Sequence, residues 1–369
     1  MNRGKLTILH IVESFSGGVF DFISDIVNEL PEYDHVIIHG LREDTPHNYT
    51  QLIKASEFIE VKNFQREINL IKDFKALIEV ISILRRFKAR KIVIHLHSSK
   101  AGFIGRIASR FLKLYNKVVY TPHGASFLRK DVSSLKRNIY ILCEKIAARC
   151  GGFVVACSKS EAEEFKKYKI NAFYINNGVK NYSKIFMDET KSFNKEKIIV
   201  GNSGRIVEQK NPDLFNSIAK EFIGVKEIEF LWIGDGPLKD RLTSPNIRIT
   251  GWLSRDKAIE YLANDVDIYL STSLWEGLSL TILQAMSLKK PLVLYKCVGN
   301  IDLVSCDQNG FLFTTKDEAV KALKILINDE NMRKRFGENS YSLYINEFND
   351  KKMLSQYKKL YKELGGMTT

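Results

Sequence analysis

Short apolar, β-branched runs alternate with longer stretches of helical periodicity along almost the whole chain. In the first half these runs predict strands at 6–12, 35–39, 57–61, 91–96, 117–121, 153–157 and 173–175. After a polar stretch the alternation restarts and predicts strands at 198–202, 228–233, 247–250, 266–271, 292–295 and 310–313. Strands that alternate with helices are typical of parallel sheets covered on both faces. The pattern therefore predicts an α/β fold.

The helical stretches carry signals for where they begin and which face they bury. Over 69–87, apolar residues recur at three- and four-residue spacing and predict one buried stripe: Leu70, Phe74, Leu77, Ile81 and Leu84. Ser158 and Glu161, three residues apart, predict a capping box at the start of another helix. Pro212 predicts the first turn of a third.

At 369 residues the chain is longer than one ordinary domain, and a hydrophobic fraction of 44% suffices for two cores. Residues 181–196 are polar and charged, which predicts a linker. The sequence thus predicts two Rossmann-like domains with parallel sheets that face a central cleft, 1–180 and 197–347.

Cysteine usage and hydropathy bear on the cellular compartment. Five cysteines without a C-x-x-C pair favour reduced, buried thiols in a cytosolic protein. Every apolar run is broken well short of the ~20 residues that a membrane-spanning helix requires. The N-terminal run resembles a signal peptide only faintly, because it contains His10 and is followed by Glu13. We therefore expect a cytoplasmic protein.

The formal net charge is +13, and one segment carries the excess. Between 85 and 149, sixteen lysines and arginines face only Asp131 and Glu144. Such a segment attracts the phosphates of a nucleic acid, an anionic membrane or a charged substrate. A solvated helix surface explains the same charge about equally well. No basic strand with interleaved aromatic residues is present, so nucleic acid is not an expected partner.

Glu276 lies in a loop between a predicted strand and a predicted helix. This end of a parallel sheet is where open α/β folds bind anionic, hydroxyl-rich ligands. Gly277 allows a ligand to approach the backbone, and Ser279 is a suitable helix N-cap. Gln284 could bond a ribose diol, although an ordinary helix-surface glutamine explains it more simply.

Two cations, Arg205 and Lys210, follow the first predicted strand of the second half. A guanidinium and an ammonium on one loop can hold both phosphates of a diphosphate and stabilise it as a leaving group. Two surface cations beside Glu208 are the alternative. Together with the loop of Glu276, this loop predicts a nucleotide-sugar site.

Three features of the first half are candidate ligand contacts. Gly17 and Gly18 join a strand to a helix and can admit a phosphate, or form only a tight turn. His123 follows a strand in a Pro/Gly-shaped turn and can bond a sugar, or only nearby backbone. His95 and His97 share one strand face, but no third ligand lies near in sequence, so we expect no metal.

In their order and spacing, these motifs resemble the retaining glycosyltransferases of family four, which have the GT-B architecture. The resemblance runs nearly end to end and rests on Gly17-Gly18, His97-Ser-Ser-Lys-Ala-Gly102, Thr-Pro-His123-Gly, Asn177-Gly178-Val, Ser-Gly204-Arg205 with Lys210-Asn, Ile233-Gly-Asp-Gly236, and Glu276-Gly-Leu with Gln284-Ala-Met. The sequence from His97 to Gly124 is most similar to that of bacterial transferases of capsule, O-antigen (lipopolysaccharide) or exopolysaccharide assembly.

The resemblance implies an acceptor-side first domain and a second domain that binds the nucleotide sugar. It implies that a last helix, about 348–369, packs back on the first domain. It further implies transfer of a hexose from a UDP- or GDP-sugar with retention of configuration by front-face attack. No catalytic metal or other cofactor is implied.

The resemblance also assigns roles to residues. Glu276 contacts hydroxyls of the donor sugar, while Arg205 and Lys210 hold the diphosphate. His123 touches the sugar near the reaction centre. Donor contacts are implied at Gly17, Gly18, Gly204, Gly234, Trp252, Leu253, Gly277, Leu278, Ser279, Leu280 and Gln284. The acceptor side is implied to include His97 and Lys100.

The chain departs from the family pattern at two positions. Gln284 stands where the family usually has a second glutamate, and Ser279 replaces a frequent proline. A glutamine can still bond ribose hydroxyls but loses the stronger charge-assisted bond. Weaker donor affinity is the expected consequence.

Three hypotheses follow. The first is a transferase that acts on a lipid-linked saccharide in surface polysaccharide synthesis, with segment 85–149 holding the first domain on the inner face of the plasma membrane. The second is a nucleotide-sugar epimerase or hydrolase on the same architecture. The third is a non-enzymatic basic protein that binds a membrane or nucleic acid. The sequence does not select the sugar, base, linkage or acceptor.

Overall fold

The computed structural model describes residues 4–65, 69–186 and 197–366. They divide into two compact units, the first within Met1–Leu128, Val132–Asn177 and Lys351–Thr369, the second within Arg129–Asp131 and Gly178–Asp350. Residues 187–196 of the predicted linker lie outside the described part of the chain. Each unit has one parallel sheet with helices, so the predicted α/β class is confirmed.

The strands of the first unit are Thr7–Val12 (β1), Asp34–His39 (β2), Glu57–Glu60 (β3), Ile92–His97 (β4), Val118–Thr121 (β5), Phe153–Ala156 (β6) and Ala172–Tyr174 (β7). They form one sheet in the order β3-β2-β1-β4-β5-β6-β7. The central strands β1 and β4 are buried at every position. Burial on both faces is the reason that such strands appear in sequence as apolar runs.

The helices that cover this sheet are Gly17–Glu29 (α1), Tyr49–Leu52 (α2), Leu70–Phe87 (α3), Ser99–Phe111 (α4), Ser134–Arg149 (α5) and Lys159–Lys167 (α6). The side chains of Asn69, Ser133 and Ser158 each accept an N–H of the first turn that follows. These caps satisfy donors that have no partner inside the helix.

The second unit has the strands Ile198–Ser203 (β8), Ile228–Ile233 (β9), Ile247–Ile249 (β10), Ile268–Ser271 (β11), Leu292–Tyr295 (β12) and Gly310–Phe313 (β13), in the order β10-β9-β8-β11-β12-β13. Its helices are Ser183–Phe186 (α7), Pro212–Lys220 (α8), Arg255–Asn264 (α9), Leu280–Ser287 (α10), Lys316–Asn328 (α11) and Glu330–Leu343 (α12). Pro212 begins its helix as predicted.

The last helix, Asp350–Leu364 (α13), contributes to the core of the first unit. Met353, Tyr357 and Tyr361 are buried in the same cluster as Ile8 of β1. The Tyr361 hydroxyl lies 2.6 Å from Nδ1 of His95. The carboxyl-terminal helix therefore packs against the amino-terminal strand β1 and is hydrogen-bonded to β4.

The predicted strands are all present, with ends displaced by one or two residues. The helices α4 and α10 end at Phe111 and Ser287. In each case a lysine two residues beyond, Lys113 or Lys289, adopts a left-handed φ, 60° or 55°. A residue in this conformation cannot continue the helix. No described helix is both long and apolar enough to cross a bilayer.

The buried stripe predicted for α3 is wrong. Of its five residues only Leu84 is buried, whereas Leu70 is 83% and Phe74 62% exposed. The buried face consists instead of Ala76, Val80, Ile83, Leu84 and Phe87. The helix carries two apolar stripes, and periodicity alone cannot tell which one packs against a neighbour.

One member of the basic segment 85–149 is not on the surface. Arg106 of α4 is 1% exposed and donates to Glu144 of α5 across 2.6 Å. The hydroxyl of Tyr120 donates to the same carboxylate at 2.7 Å, and the guanidinium lies 4.2 Å from the Tyr120 ring centroid. Gly102 is necessary here, because a Cβ would lie 2.2 Å from that ring. This buried pair joins α4, α5 and β5.

We predict that Arg106→Met destabilises the protein by about 3–5 kcal/mol, because Glu144 would remain as an unpaired buried charge. Urea unfolding measures the loss. Arg110→Met, on the exposed face of the same helix, is the control and should change stability by under about 1 kcal/mol. Equal effects of the two substitutions would contradict the structural role of the pair.

Candidate functional site

Each sheet reverses its strand order at one central point. In the second unit β8 lies between β9 and β11, and in the first unit β1 lies between β2 and β4. The connections on the two sides of such a point leave in opposite directions and open a crevice at the carboxyl ends of the strands. Most of the predicted site residues belong to loops that begin there.

In the second unit, the loops after β8 and β11 meet through an ion pair. Lys210 Nζ lies 2.8 Å from Glu276 Oε1, and both side chains are mostly buried. Gln209 Nε2 donates to the other carboxylate oxygen at 3.3 Å and to the Trp275 carbonyl at 2.9 Å. The predicted convergence of the acidic and the cationic loop is confirmed for Lys210.

The ion pair is also joined through the backbone. The Leu274 N–H donates to the Gln209 carbonyl at 2.8 Å, and the Thr272 hydroxyl donates to the Lys210 carbonyl at 2.7 Å. Burial by itself would lower the pKa of Lys210, but the adjacent Glu276 carboxylate outweighs burial and raises it. Lys210 is therefore held as a cation beside a carboxylate, an arrangement able to bind phosphate and hydroxyl groups together.

Neighbouring loops approach this pair so closely that glycine is required. Gly234 has φ 136°, and a Cβ there would lie 2.3 Å from the Gly204 carbonyl oxygen. Gly299 has φ 83°, and its Cβ would lie 2.7 Å from the Gly277 carbonyl oxygen. The loops after β8, β9, β11 and β12 are thus packed backbone against backbone.

The start of α10 is the helix terminus of this site. Ser279 occupies the N-cap, but its side chain makes no cap bond, and the first turn contains no acidic residue. Its hydroxyl lies 3.1 Å from that of Thr281 instead. The terminus keeps the partial positive charge that attracts anions. Gln284 is buried on the same helix.

The other predicted donor contacts of the second unit lie on the loops around this site and on the loop after β10. Arg205 is partly buried on the loop of Lys210, and Gly277, Leu278 and Leu280 adjoin Glu276. Trp252 is 63% exposed in the loop after β10, next to the partly buried Leu253. The roles assigned to all of these residues stay predictions.

In the first unit, Gly17 and Gly18 are exposed at the start of α1, where Gly17 has φ 55°. The Lys100 ammonium bonds Asp73 at 2.8 Å. Glu13, which was not predicted as a site residue, is buried directly after β1, accepts from the Ser98 hydroxyl and lies 3.9 Å from Arg42. Its burial raises its pKa. An acidic residue immediately after a predicted buried strand was the sequence signal that could have indicated Glu13.

His123 lies in the turn after β5 with φ 53°, and a carboxylate holds that turn. Glu161 Oε1 accepts from Gly124 and Ala125 N–H groups at 2.9 Å, and Oε2 accepts from Cys157 N–H at 2.8 Å. The predicted capping box is half confirmed: the Ser158 hydroxyl accepts from the Glu161 N–H at 3.2 Å. The carboxylate bonds backbone N–H groups of the His123 turn and of Cys157.

His97, predicted on the acceptor side, is fully buried. Its ring nitrogens lie 3.0 Å from nitrogens of His10 and His123. Ligand atoms of His10, His95 and His97 lie within 4.8 Å of one another, close enough for a metal. Hydrogen bonds already engage these rings, so the arrangement gives no reason to assign one. The predictions for His97 and for the absence of metal stay predictions.

Comparison with known proteins adds the family context. A family model described as Glycosyltransferase Family 4 matches residues 16–180, and one described as Glycosyl transferases group 1 matches residues 183–343. The chain is 32% identical to the UDP-Gal:alpha-D-GlcNAc-diphosphoundecaprenol alpha-1,3-galactosyltransferase of Escherichia coli, covering 80% of this chain and 81% of that protein.

Two further similarities span nearly the full length. An uncharacterized 41.2 kDa protein in the cps region of Klebsiella pneumoniae is 27% identical, with 97% of this chain and 99% of that protein covered. The crystal structure of HepE from Anabaena in complex with UDP and glucose superposes with a TM-score of 0.75 at 17% identity, covering 97% and 99%. At this identity the likeness concerns the fold.

Glu161 leads to a prediction about pH. Burial raises its pKa to about 7, against the opposing effect of the backbone N–H donors. Because the folded-state pKa exceeds the unfolded one, the contribution of this group is complete below pH ~4.5 and is lost as the pH rises through ~7. Wild-type stability should therefore fall by up to about 3 kcal/mol between these limits, relative to Glu161→Gln.

Urea unfolding of both proteins across this pH range measures the difference. Glu164→Gln, on the same helix in an exposed ion pair with Lys167, is the control for a general charge effect. If the wild type and Glu161→Gln have parallel pH profiles, the buried carboxylate does not titrate as described.

Proposed function

The chain belongs to the family 4 glycosyltransferases, which have the GT-B fold. We propose that it transfers a hexose from a UDP-sugar to a lipid-linked saccharide with retention of anomeric configuration. That it is a glycosyltransferase follows from family membership. The donor, the acceptor and the stereochemistry are the proposal.

The observation that carries the proposal is the ion pair between Lys210 and Glu276 at the strand-order reversal of the second unit. A diphosphate would take Lys210 as a partner and release the carboxylate to accept hydrogen bonds from sugar hydroxyls. Arg205, on the same loop, would add a second cation for the phosphates. Charge that develops on the leaving diphosphate would be stabilised more in the transition state than in the ground state.

UDP is the proposed nucleotide on the strength of two similar proteins. The Escherichia coli relative is named for UDP-Gal, and the HepE structure contains UDP and glucose. Retention is proposed because the family that the motifs resemble retains configuration. No cofactor is required by this proposal, since the cations of the chain itself would neutralise the diphosphate.

A lipid-linked acceptor is proposed because that relative is also named for a diphosphoundecaprenol substrate. Helix α5 supports a location at the membrane. Its outward face carries apolar residues at helical spacing, which are Leu135, Ile139, Leu142 and Ile146, exposed by 73%, 45%, 54% and 41%. Exposed cations flank them, namely Lys136, Lys145 and Arg149. An apolar stripe with basic flanks binds anionic lipid surfaces.

We accordingly propose that α5 holds the enzyme on the cytoplasmic face of the plasma membrane, in service of capsule or lipopolysaccharide assembly. The Klebsiella pneumoniae relative is described by its cps region, which is consistent with this role.

The first test is of the reaction. Purified protein is incubated with UDP-galactose, UDP-glucose, UDP-N-acetylglucosamine or GDP-mannose and a short-chain lipid diphosphate-linked N-acetylglucosamine. We expect an α-linked disaccharide product from one UDP-sugar and a greater rise of the melting temperature with UDP than with GDP. Free or isomerised sugar without acceptor would favour a hydrolase or epimerase instead.

Variants separate the roles in the ion pair. Glu276→Gln should lower kcat/KM by about 100-fold, because a contact to the reacting sugar is weakened, yet keep the UDP-induced rise of melting temperature. Lys210→Met should lose that rise. Lys289→Met removes an exposed ion pair with Glu338 in the same unit and serves as the control. Full activity of both site variants would refute the proposed donor site.

The second test is of the membrane surface. The full-length protein should sediment with phosphatidylcholine vesicles that contain phosphatidylglycerol, and less with pure phosphatidylcholine, in low salt. Leu135→Ser with Leu142→Ser should weaken binding by about tenfold or more, because two large apolar side chains no longer leave water. Ile223→Ser, at an apolar position of the second unit that is 53% exposed, is the control. Equal binding to both vesicle types would exclude this surface.

A further inference from the structure

Four imidazoles in the first unit are hydrogen-bonded in line, and we call them the histidine chain: His35, His10, His97 and His123. Successive ring nitrogens are 3.0 Å apart at all three junctions. The rings are nearly parallel, with interplanar angles of 25°, 20° and 16°. The residues come from β2, β1, β4 and the turn after β5, so the chain runs across the sheet.

The two ends of the chain have different partners. At one end, His35 Nε2 lies 3.0 Å from the Leu30 carbonyl oxygen. At the other end, His123 Nδ1 lies 3.5 Å from the Cys157 sulfur. A carbonyl oxygen can only accept, whereas a thiol can either donate or accept weakly. The carbonyl end therefore sets the direction of the chain.

All four rings are neutral, and this extends the direction along the whole chain. Burial lowers the pKa of His35 to about 4 and that of His123 to about 3. Burial, with the neighbouring histidines, lowers the pKa of His10 and His97 well below the ordinary value. Neutral imidazole has one N–H, so a ring that donates from Nε2 must accept at Nδ1.

The Leu30 carbonyl fixes which nitrogen of each ring donates, one ring after another. His35 donates from Nε2 to Leu30, so its Nδ1 accepts from His10 Nε2. By the same logic His10 Nδ1 accepts from His97 Nε2, and His97 Nδ1 accepts from His123 Nε2. His123 Nδ1 is then left as an acceptor whose partner is the weak thiol donor of Cys157.

We propose that His35, His10 and His97 are positioning residues that fix His123 as the Nε2–H tautomer and leave its Nδ1 as an acceptor for a substrate hydroxyl. The hydroxyl would displace a thiol hydrogen bond, which is weaker than the bond that it forms. The substrate part rests on the proposed function, because it requires His123 to face the sugar. The tautomer part rests on the geometry of the first unit alone.

His95 is on the same strand as His97 but outside the chain. Its Nδ1 lies 2.6 Å from the Tyr361 hydroxyl and its Nε2 lies 2.8 Å from the Thr121 hydroxyl. The two histidines that alternate along β4 therefore have different tasks. His95 joins α13 to the sheet, and His97 sets the tautomer of His123.

The experiment is nitrogen-15 NMR of the full-length protein with labelled histidine, together with turnover of the UDP-sugar that gives product in the transfer assay. The ring nitrogen shifts distinguish a protonated from an unprotonated nitrogen. In the wild type at pH 7 we expect His123 as a single neutral Nε2–H tautomer. His10→Phe, two rings away, should make His123 a mixture of tautomers and lower kcat roughly tenfold.

Two variants control for folding. His10→Gln keeps one acceptor and one donor at similar spacing, so it should restore the single tautomer and most of kcat. His39→Phe replaces a histidine of β2 that is 1% exposed and whose Nδ1 has no partner, and it should leave both readouts unchanged. If His10→Phe does not fold, the spectra of the wild type and of His10→Gln still test whether His123 is a single Nε2–H tautomer.

A wild-type His123 that is cationic, protonated on Nδ1 or a mixture of tautomers would overturn the proposal. So would His10→Phe with an unchanged His123 spectrum and with kcat within twofold of His39→Phe. Absence of sugar transfer in the wild type would instead refute the proposed function, while the spectra would still decide the tautomer order.

Discussion

The pairing of β8 with β11 is the constraint on which the candidate donor site depends. Residues 66 positions apart in the chain, Lys210 and Glu276, form an ion pair only because these two strands are neighbours and both loops leave at their carboxyl ends. The connections then diverge, since β8 also pairs with β9 on its other side. A crevice with a carboxylate, a cation and a helix terminus is the result.

The first unit depends on a different constraint, which is that polar groups inside a parallel sheet must satisfy one another. His10, His35 and His97 of the histidine chain, the carboxylate of Glu161 and the pair of Arg106 with Glu144 are all buried. Each would be costly alone, and each has partners from two or more elements. These bonds therefore specify how strands and helices of this unit are arranged, as apolar contacts by themselves do not.

The two units thus use buried polar groups for different purposes. In the second unit, charged groups lie at loops, where a ligand can exchange for a partner. In the first unit, Glu161 bonds the backbone of the His123 turn and His97 bonds the His123 ring. The membrane surface proposed for α5 requires neither arrangement, since it rests on exposed side chains of one helix.

Much of the fold was predictable because it depends on local pattern. Strand runs, the Pro212 start and the cap of Ser158 reflect interactions within a few residues. The loop of Glu276 was also predictable, since a carboxylate after a buried strand has no local structural explanation. Choices between equivalent local patterns were not, as the second apolar stripe of α3 shows.

Partnerships across the chain were decided only by tertiary structure. Spacing alone indicated a local cap for Glu161, but its carboxylate bonds a turn 36 and 37 residues earlier. Periodicity could place His95 and His97 on one face, yet it could not separate their tasks, which depend on α13 and on β1. The period of hydrophobic residues depends on neighbouring positions and can therefore be read from the sequence. The partner of a buried polar group depends on the order of the strands in the sheet, which only the tertiary structure shows.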